Sequence, residues 1–296
     1  PAQNLLYYPQ EIAIDSVHNR FLVSNYGNGA IVAIDSEGNQ SYFNQDAGMI
    51  DGIEVVGDIL YGVGDDRHFL AYDLNTGNQV LSMVFPGDES QYLSSVASDS
   101  TGHLFISCPP SNEIYKFRIS DGTYWTFASG NGLNRPNGML IEHEKDRMIV
   151  VDDSPANSQL HSISLSDSTV SVITSTDFYA PDGITRDIYG SYYIGGYYLP
   201  GLYRMDSYFA GPPELIHEGL HMVYPTYDAS DHSILVTHFN ENTWERIPLA
   251  SSVDEETGDH STVKMTICPN PFNPTTTVAF DLAQPGVVNL SVYNLR

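Results

Sequence analysis

Lysine is almost missing. Lys116, Lys145 and Lys264 are the only three in 296 residues, and all basic side chains number 12 against 37 acidic ones, a formal net charge of −25. A surface this negative repels phosphate, which excludes nucleic acid as a partner. Long apolar runs are lacking too. Nothing approaches the roughly 18 residues a membrane-spanning helix needs. Cysteine is scarce: Cys108 and Cys268 stand 160 residues apart with no metal-ligand spacing, so neither a disulfide nor a zinc site is expected. No glycine loop suited to phosphate, no His-Glu-x-x-His helix and no Gly-x-Ser-x-Gly elbow occurs. No segment carries a helical period.

What the chain has is a 41% apolar composition, 20 tyrosines, 24 glycines and 17 prolines, enough for a folded core rich in turns. It also has a repeat. A Pro or apolar residue, a small polar residue and an apolar stretch ending in an Asp-rich turn recur from Pro9, Ile50, Leu93, Pro136, Pro181 and Pro225. The intervals are 41, 43, 43, 45 and 44 residues. Each repeat continues as three more short strands filled with β-branched and aromatic residues and separated by Asn, Asp and Gly, as in Arg20-Phe21-Leu22-Val23-Ser24 and Ala30-Ile31-Val32-Ala33-Ile34-Asp35. Four antiparallel strands repeated six times predict an all-β fold, a six-bladed β-propeller over residues 1–250. Gln3 to Tyr7 are the expected outer strand of the last blade, closing the ring.

In such a blade the start of the first strand and the loop between the second and third strands share one face. Gln10, Asp51, Ser94, Asn137, Asp182 and Thr226 then form a ring at the channel mouth, every member carrying a side-chain oxygen. Polar side chains and water in a structural channel account for such a ring; so does a hard cation such as Ca²⁺, which asks for six to eight oxygen ligands. The neighbouring loops add Tyr26, Asp65, His68, Cys108, Asp152, Asp153, Tyr197, Tyr198, His238 and Phe239, with His221 and Tyr224 just before the sixth ring position. His221 and His238 are candidate acid–base groups, histidine being the side chain that titrates near neutrality. Tyr26, His68, Ser94, Tyr197, Tyr198 and Tyr224 are candidate substrate contacts.

Two stretches resemble known families. After a segment of linker composition, 251–266, residues 267–296 contain Pro269-Asn270-Pro271-Phe272-Asn273-Pro274-Thr275 and then alternating Val278-Ala279-Phe280-Asp281-Leu282. This run resembles the C-terminal sorting domain of the bacterial type IX secretion system. The family's β-sandwich extends past the position of Tyr293, so a partial sorting tail is expected here. The resemblance implies an interaction with the type IX machinery and a secreted or cell-surface location.

Pro136-Asn137-Gly138 and Pro181-Asp182-Gly183-Ile184, in consecutive repeats, resemble the gluconolactonase/regucalcin (senescence marker protein) group of calcium-dependent propellers. The likeness covers roughly residues 5–250. It implies a Ca²⁺ or other divalent cation held by Asn137 and Asp182, with Asp182 as the base that activates water against a lactone or ester. Gln10 falls where the family has a Glu, and Glu11 is displaced by one position. Asp51 is the expected substitute charge. Ser94 stands in place of an Asn, and Tyr92 in place of an Arg that would meet an acidic sugar. The metal set expected here is Gln10, Asp51, Asn137 and Asp182. The leading expectation is therefore a monomeric, calcium-dependent hydrolase of small lactones or esters. A non-catalytic propeller binding a glycan, peptide or protein, and a phosphotriesterase-like hydrolase, are the alternatives.

Overall fold

In a computed structural model, residues 3–88, 90–155, 158–249, 264–268 and 277–281 are described. They fall into two compact units, Pro1–Leu249 and Ala250–Arg296. The first is a six-bladed β-propeller. Five blades are four-stranded antiparallel sheets with strands in sequence order. Among the described residues helix is confined to three short 3₁₀ turns, Asp65–Arg67, Pro109–Ser111 and His143–Lys145.

The core lies between the blades. Six clusters of buried apolar side chains each join one blade to the next. Phe69 and Phe85 of the second blade meet Leu104 and Phe117 of the third, for example, with Phe69 and Phe117 rings 4.9 Å apart edge-to-face. Strand alternation explains the arrangement: with both faces of every blade covered by neighbours, inward and outward positions can both be apolar. At about 1.5–3 kcal/mol per fully buried large apolar side chain, these interfaces dominate the stability of the ring.

Closure differs from the sequence expectation. Gln3 to Tyr7 form no strand, and the sixth blade has three strands among the described residues: Met222–Asp228, Ser233–His238 and Thr243–Pro248. The N-terminal segment instead crosses between the first and last blades. Asn4 donates to the Asn242 carbonyl, Tyr8 N–H donates to Asn242 Oδ1, and Asn25 Nδ2 donates to the Leu5 carbonyl. Leu6 is buried with Ile12, Val23 and Leu235. Side chains and apolar burial thus seal the ring where a fourth strand was expected.

The sixth repeat also sits two residues earlier than the sequence alignment placed it. In blades one, two and four the first strand bulges, so that two residues face one: Gln10-Glu11, Asp51-Gly52 and Asn137-Gly138. In blade six the bulged pair is Tyr224-Pro225. Glycines after the ring residues confirm this frame. A Cβ on Gly52 would lie 2.6 Å from the Ser94 carbonyl oxygen, one on Gly138 2.5 Å from that of Asp182, and one on Gly183 2.5 Å from Tyr224 Cα. These glycines are there because the next blade's ring residue leaves no room for a side chain.

In the second unit the described strands Lys264–Cys268 and Thr277–Asp281 pair antiparallel. The first begins within the segment read as linker. The rest of that segment, the Pro-Asn-Pro-Phe-Asn-Pro-Thr run and residues beyond Asp281 lie outside the described residues.

Candidate functional site

A cavity of about 450 Å³ opens at one end of the channel. Bulges in blades one, two and four turn Gln10, Asp51 and Asn137 toward the mouth, and Ser94 and Asp182, just ahead of the first strands of blades three and five, join them on the floor. The sixth member is Tyr224, not Thr226. Thr226 faces a separate cavity of about 350 Å³ further along the axis and donates to the Ile12 carbonyl at 2.7 Å.

The floor carries two hydrogen-bonded groups. Ser94 Oγ and Tyr224 OH each reach Asn137 Oδ1 at 2.7 Å, and lie 2.7 Å from one another. Asn137 Nδ2 donates to Asp182 Oδ1 at 3.3 Å, and the Tyr197 backbone N–H donates to Asp182 Oδ2 at 2.6 Å. Across the ring, Gln10 Nε2 donates to Asp51 Oδ1 at 3.3 Å. Burial pushes the Asp182 carboxyl up to about 7; the Tyr197 N–H opposes the shift and Asp153 adds to it. Burial also drives Asp51 well above the usual carboxylate range, reinforced by the charges of Asp65 and Asp182. Tyr224 is pushed far above 10 by burial and by both aspartates, so its hydroxyl keeps its proton.

Glu11 does not reach this floor. The bulge sends it to the second cavity, where its Oε2 accepts from Ile53 N–H at 2.8 Å beside Glu54. Burial raises both carboxyls, and the charges of Glu54 and Asp51 raise Glu11 further.

The wall has two halves. From blades two to four come Asp65, Tyr92, Arg135 and Asp153. Arg135 Nη2 donates to Asp153 Oδ2 at 2.6 Å and to Tyr92 OH at 2.8 Å. Arg135 thus brings a guanidinium to Tyr92, the position where the family likeness lacks its arginine. Sequence reasoning missed it, although it stands immediately before Pro136-Asn137-Gly138. Asp152, by contrast, turns inward to His161, whose Nε2 lies 2.9 Å from its carboxylate. The other half of the wall is aromatic: Tyr26, Tyr197, Tyr198 and Phe239.

The histidines do not line the cavity. His221 Nδ1 lies 2.9 Å from Glu241 and its Nε2 3.1 Å from the Asn240 amide, while its ring packs on Tyr197 at 4.7 Å. His238 bonds the Leu220 carbonyl and Glu245. His68 lies on the far side of the Asp65–Arg67 turn in another cavity, its Nδ1 3.1 Å from the Asp65 carbonyl oxygen. With their ring nitrogens engaged elsewhere, His221 and His238 are placed as supports for the rim rather than as acid–base groups on the floor. Cys108 is buried and free, 3.1 Å from the Arg67 guanidinium.

The floor fits a hard divalent cation. Among the described residues no group of three or more His, Cys, Asp or Glu gathers to hold a metal, so the donor set rests on two carboxylates and two amides. Asp51 is buried and Asp182 half-buried, and among the described residues neither carboxylate meets a cationic side chain, the arrangement a Ca²⁺ would relieve. Gln10 uses its Nε2 toward Asp51, which leaves its side-chain oxygen without a donor among the described residues. Asn137 presents its NH₂ to Asp182, and turning that amide over would expose its oxygen, since the Ser94 and Tyr224 hydroxyls can accept as well as donate.

No family model matches the chain, and no curated protein is similar to it in sequence. Solved structures do match in three dimensions. A gluconolactonase from Xanthomonas campestris superposes with a TM-score of 0.70 at 16% identity, over 83% of this chain and 88% of its own. The fold is gluconolactonase-like. A streptogramin B lyase gives 0.62 at 13% identity over 83% and 85% of the two chains. A catalytically inactive virginiamycin B lyase from Staphylococcus aureus, solved with quinupristin, gives 0.63 at 14% over 82% and 80%. At these identities the likeness establishes the propeller architecture and leaves the chemistry to the residues at the mouth.

Proposed function

We propose that the chain is an exported, divalent-cation-dependent hydrolase of lactones or related esters, with Asp182 as its general base. The observation that carries this reading is the placement of Asp182: a half-buried carboxylate held by a backbone N–H and an amide, facing a cavity open to solvent. A general base must lie where it can reach the water it deprotonates, and the floor of this cavity is such a place. Held by Asp51, Asp182, Gln10 and Asn137, Ca²⁺ or a similar cation would supply Lewis-acid polarisation of the ester carbonyl. The chain's own residues do the rest. Tyr197 N–H fixes the carboxylate's orientation through Asp182 Oδ2, which keeps a lone pair for a proton taken from water. Tyr224 and Ser94 fix Asn137 in turn. A gluconolactonase among the structural neighbours supports the reading.

The test is a panel of γ- and δ-lactones, aryl esters and an aryl phosphotriester, assayed with calcium and with chelator. Hydrolysis that needs the cation and disappears in Asp182→Asn is expected. An inactive wild type, or a fully active Asp182→Asn, sinks the proposal. The aromatic half of the wall favours one second reading, a binding propeller for a glycan or peptide. In that case Tyr197→Ala or Tyr198→Ala would weaken ligand capture while no substrate turned over.

Export by the type IX route is proposed from the Pro269–Thr275 run alone. Deleting residues 267–296 should strand the protein inside a host that has this machinery. Unchanged appearance in the medium would refute the route.

A further inference from the structure

The aromatic half of the wall is a continuous arc. Tyr8 stacks on Phe239 with centroids 5.0 Å apart, Phe239 meets Tyr197 at 5.7 Å, Tyr197 meets Tyr198 at 4.8 Å, and Tyr198 meets Tyr179 at 5.0 Å. Tyr198 is 62% exposed and Tyr179 50% exposed. Large rings left in contact with water around a cavity rim mark a binding surface rather than a core. Tyr26 joins the arc to the charged half. Its ring lies 6.2 Å from that of Phe239, and its hydroxyl donates to Asp65 Oδ2 at 3.2 Å. One tyrosine side chain therefore spans the distance from the aromatic arc to a carboxylate.

That carboxylate has no counter-ion among the described residues. Asp65 is partly buried, and among the described residues its only side-chain partner is the Tyr26 hydroxyl. Arg135, the one guanidinium lining the cavity among the described residues, is occupied by Asp153 and Tyr92. A divalent cation on the floor would be met by Asp51 and Asp182 and would leave Asp65 unpaired. Anionic ligands face a cavity with four aspartates and one arginine already neutralised.

We propose that this mouth selects molecules whose non-reacting part is an aryl group bearing a positively charged nitrogen one or two bonds away. The aryl ring lies along Tyr26 against Phe239 and Tyr197, and the charged nitrogen sits at Asp65. Ring faces attract such cations, and the carboxylate neutralises them in a partly desolvated place. The inference names the substrate class of the hydrolase proposed above and rests on that reading for turnover only. Binding is testable without it.

The experiment is calorimetric titration of the full chain with benzyltrimethylammonium, benzyl alcohol and phenylacetate: one aryl body with positive, neutral and negative ends. It is run once with calcium and once with chelator. The ammonium is expected to bind at least about tenfold more tightly than the alcohol, and phenylacetate more weakly than either. Asp65→Asn, nearly isosteric, should bring the ammonium to within about threefold of the alcohol. Should that variant fail to fold, the wild type still decides the matter. Raising NaCl from about 0.05 to 0.5 M should weaken the ammonium several-fold and leave the alcohol unchanged. Equal binding of ammonium and alcohol, tighter phenylacetate, or an ammonium preference untouched by both Asp65→Asn and salt overturns the inference. Ammonium preference without any ester hydrolysis would sink the hydrolase and keep this site as a receptor for cations. Hydrolysis without the preference would do the reverse.

Discussion

The Tyr224 hydroxyl stands 2.7 Å from the Asn137 carbonyl oxygen, linking blade six to blade four across the channel. Blades two apart touch here only because a side chain as long as tyrosine occupies the sixth ring position. Tyr224→Phe should lower stability by about 1 kcal/mol in a urea titration, since Ser94 still donates to the same oxygen. Ser94→Ala should cost a similar amount. The double variant should cost more than the two together, because it strips the last donor from a buried carbonyl. Additive losses would show that the three groups do not act as a network.

Cation binding should be visible as stability. A ligand at about 100 times its dissociation constant adds roughly 2.7 kcal/mol, or about 5–10 °C of melting temperature for a domain of this size. Chelator should remove that increment and calcium restore it. Asp51→Asn and Asp182→Asn should each abolish the response, and Gln10→Glu should strengthen it by adding a third carboxylate. A melting curve indifferent to chelator in the wild type would dismiss the cation.

The pH dependence follows from the raised carboxyls. In the folded state Asp182 titrates at about 7, whereas the unfolded chain offers an ordinary 3.8. Between those values the native state holds a proton that the unfolded state has lost, so stability must fall as pH rises toward and past 7. Asp51, Glu11 and Glu54 act in the same direction. Asp15, lowered by His18 and Arg20 against its burial, and Glu142, lowered by Lys145, Tyr192 and Arg147 against its burial, act oppositely. Their stabilisation is present above about pH 4.5 and lost below it. In chelator the melting temperature should therefore peak near pH 5 and decline by pH 8. Calcium should flatten the upper limb, because it favours ionised carboxylates. A chelated protein most stable at pH 8 would contradict the burial of these groups.

Gly138→Ala tests the close approach of the ring positions. The added methyl would sit 2.5 Å from the Asp182 carbonyl oxygen and 2.7 Å from Gly183 Cα, both backbone atoms. Overpacking of this kind costs about 1–3 kcal/mol. Because the displaced atoms carry Asp182, calcium affinity should fall as well. A variant as stable as wild type, with unchanged calcium affinity, would mean the blades can slide apart freely.

The repeat in the sequence was enough for the blades. Alternating β-branched strands and Asn, Asp and Gly turns are local features, set by the two-residue period of a strand, and they appear in the structure much as they read. Five of the six ring residues were legible for the same reason, since Pro-Asn137-Gly and Pro-Asp182-Gly mark in the chain where the first strand begins and where the next blade leaves no room for a side chain. The sixth was not. Pro225 mimics Pro181 in sequence, but pairing with Ser233–His238 decides the frame, and that pairing puts Tyr224 on the floor and Thr226 below it. Where the loops end was likewise a matter of tertiary structure. His221 and His238 were close in sequence to the mouth, yet Glu241, Asn240 and Glu245 hold them outside it. Arg135 entered it by reaching Asp153 and Tyr92 on other segments. Period and turn chemistry are written residue by residue, so the sequence by itself determined the propeller and most of its polar floor. Side-chain partners drawn from distant repeats, and a ladder register that only the neighbouring strand can fix, decided which residues face the ligand.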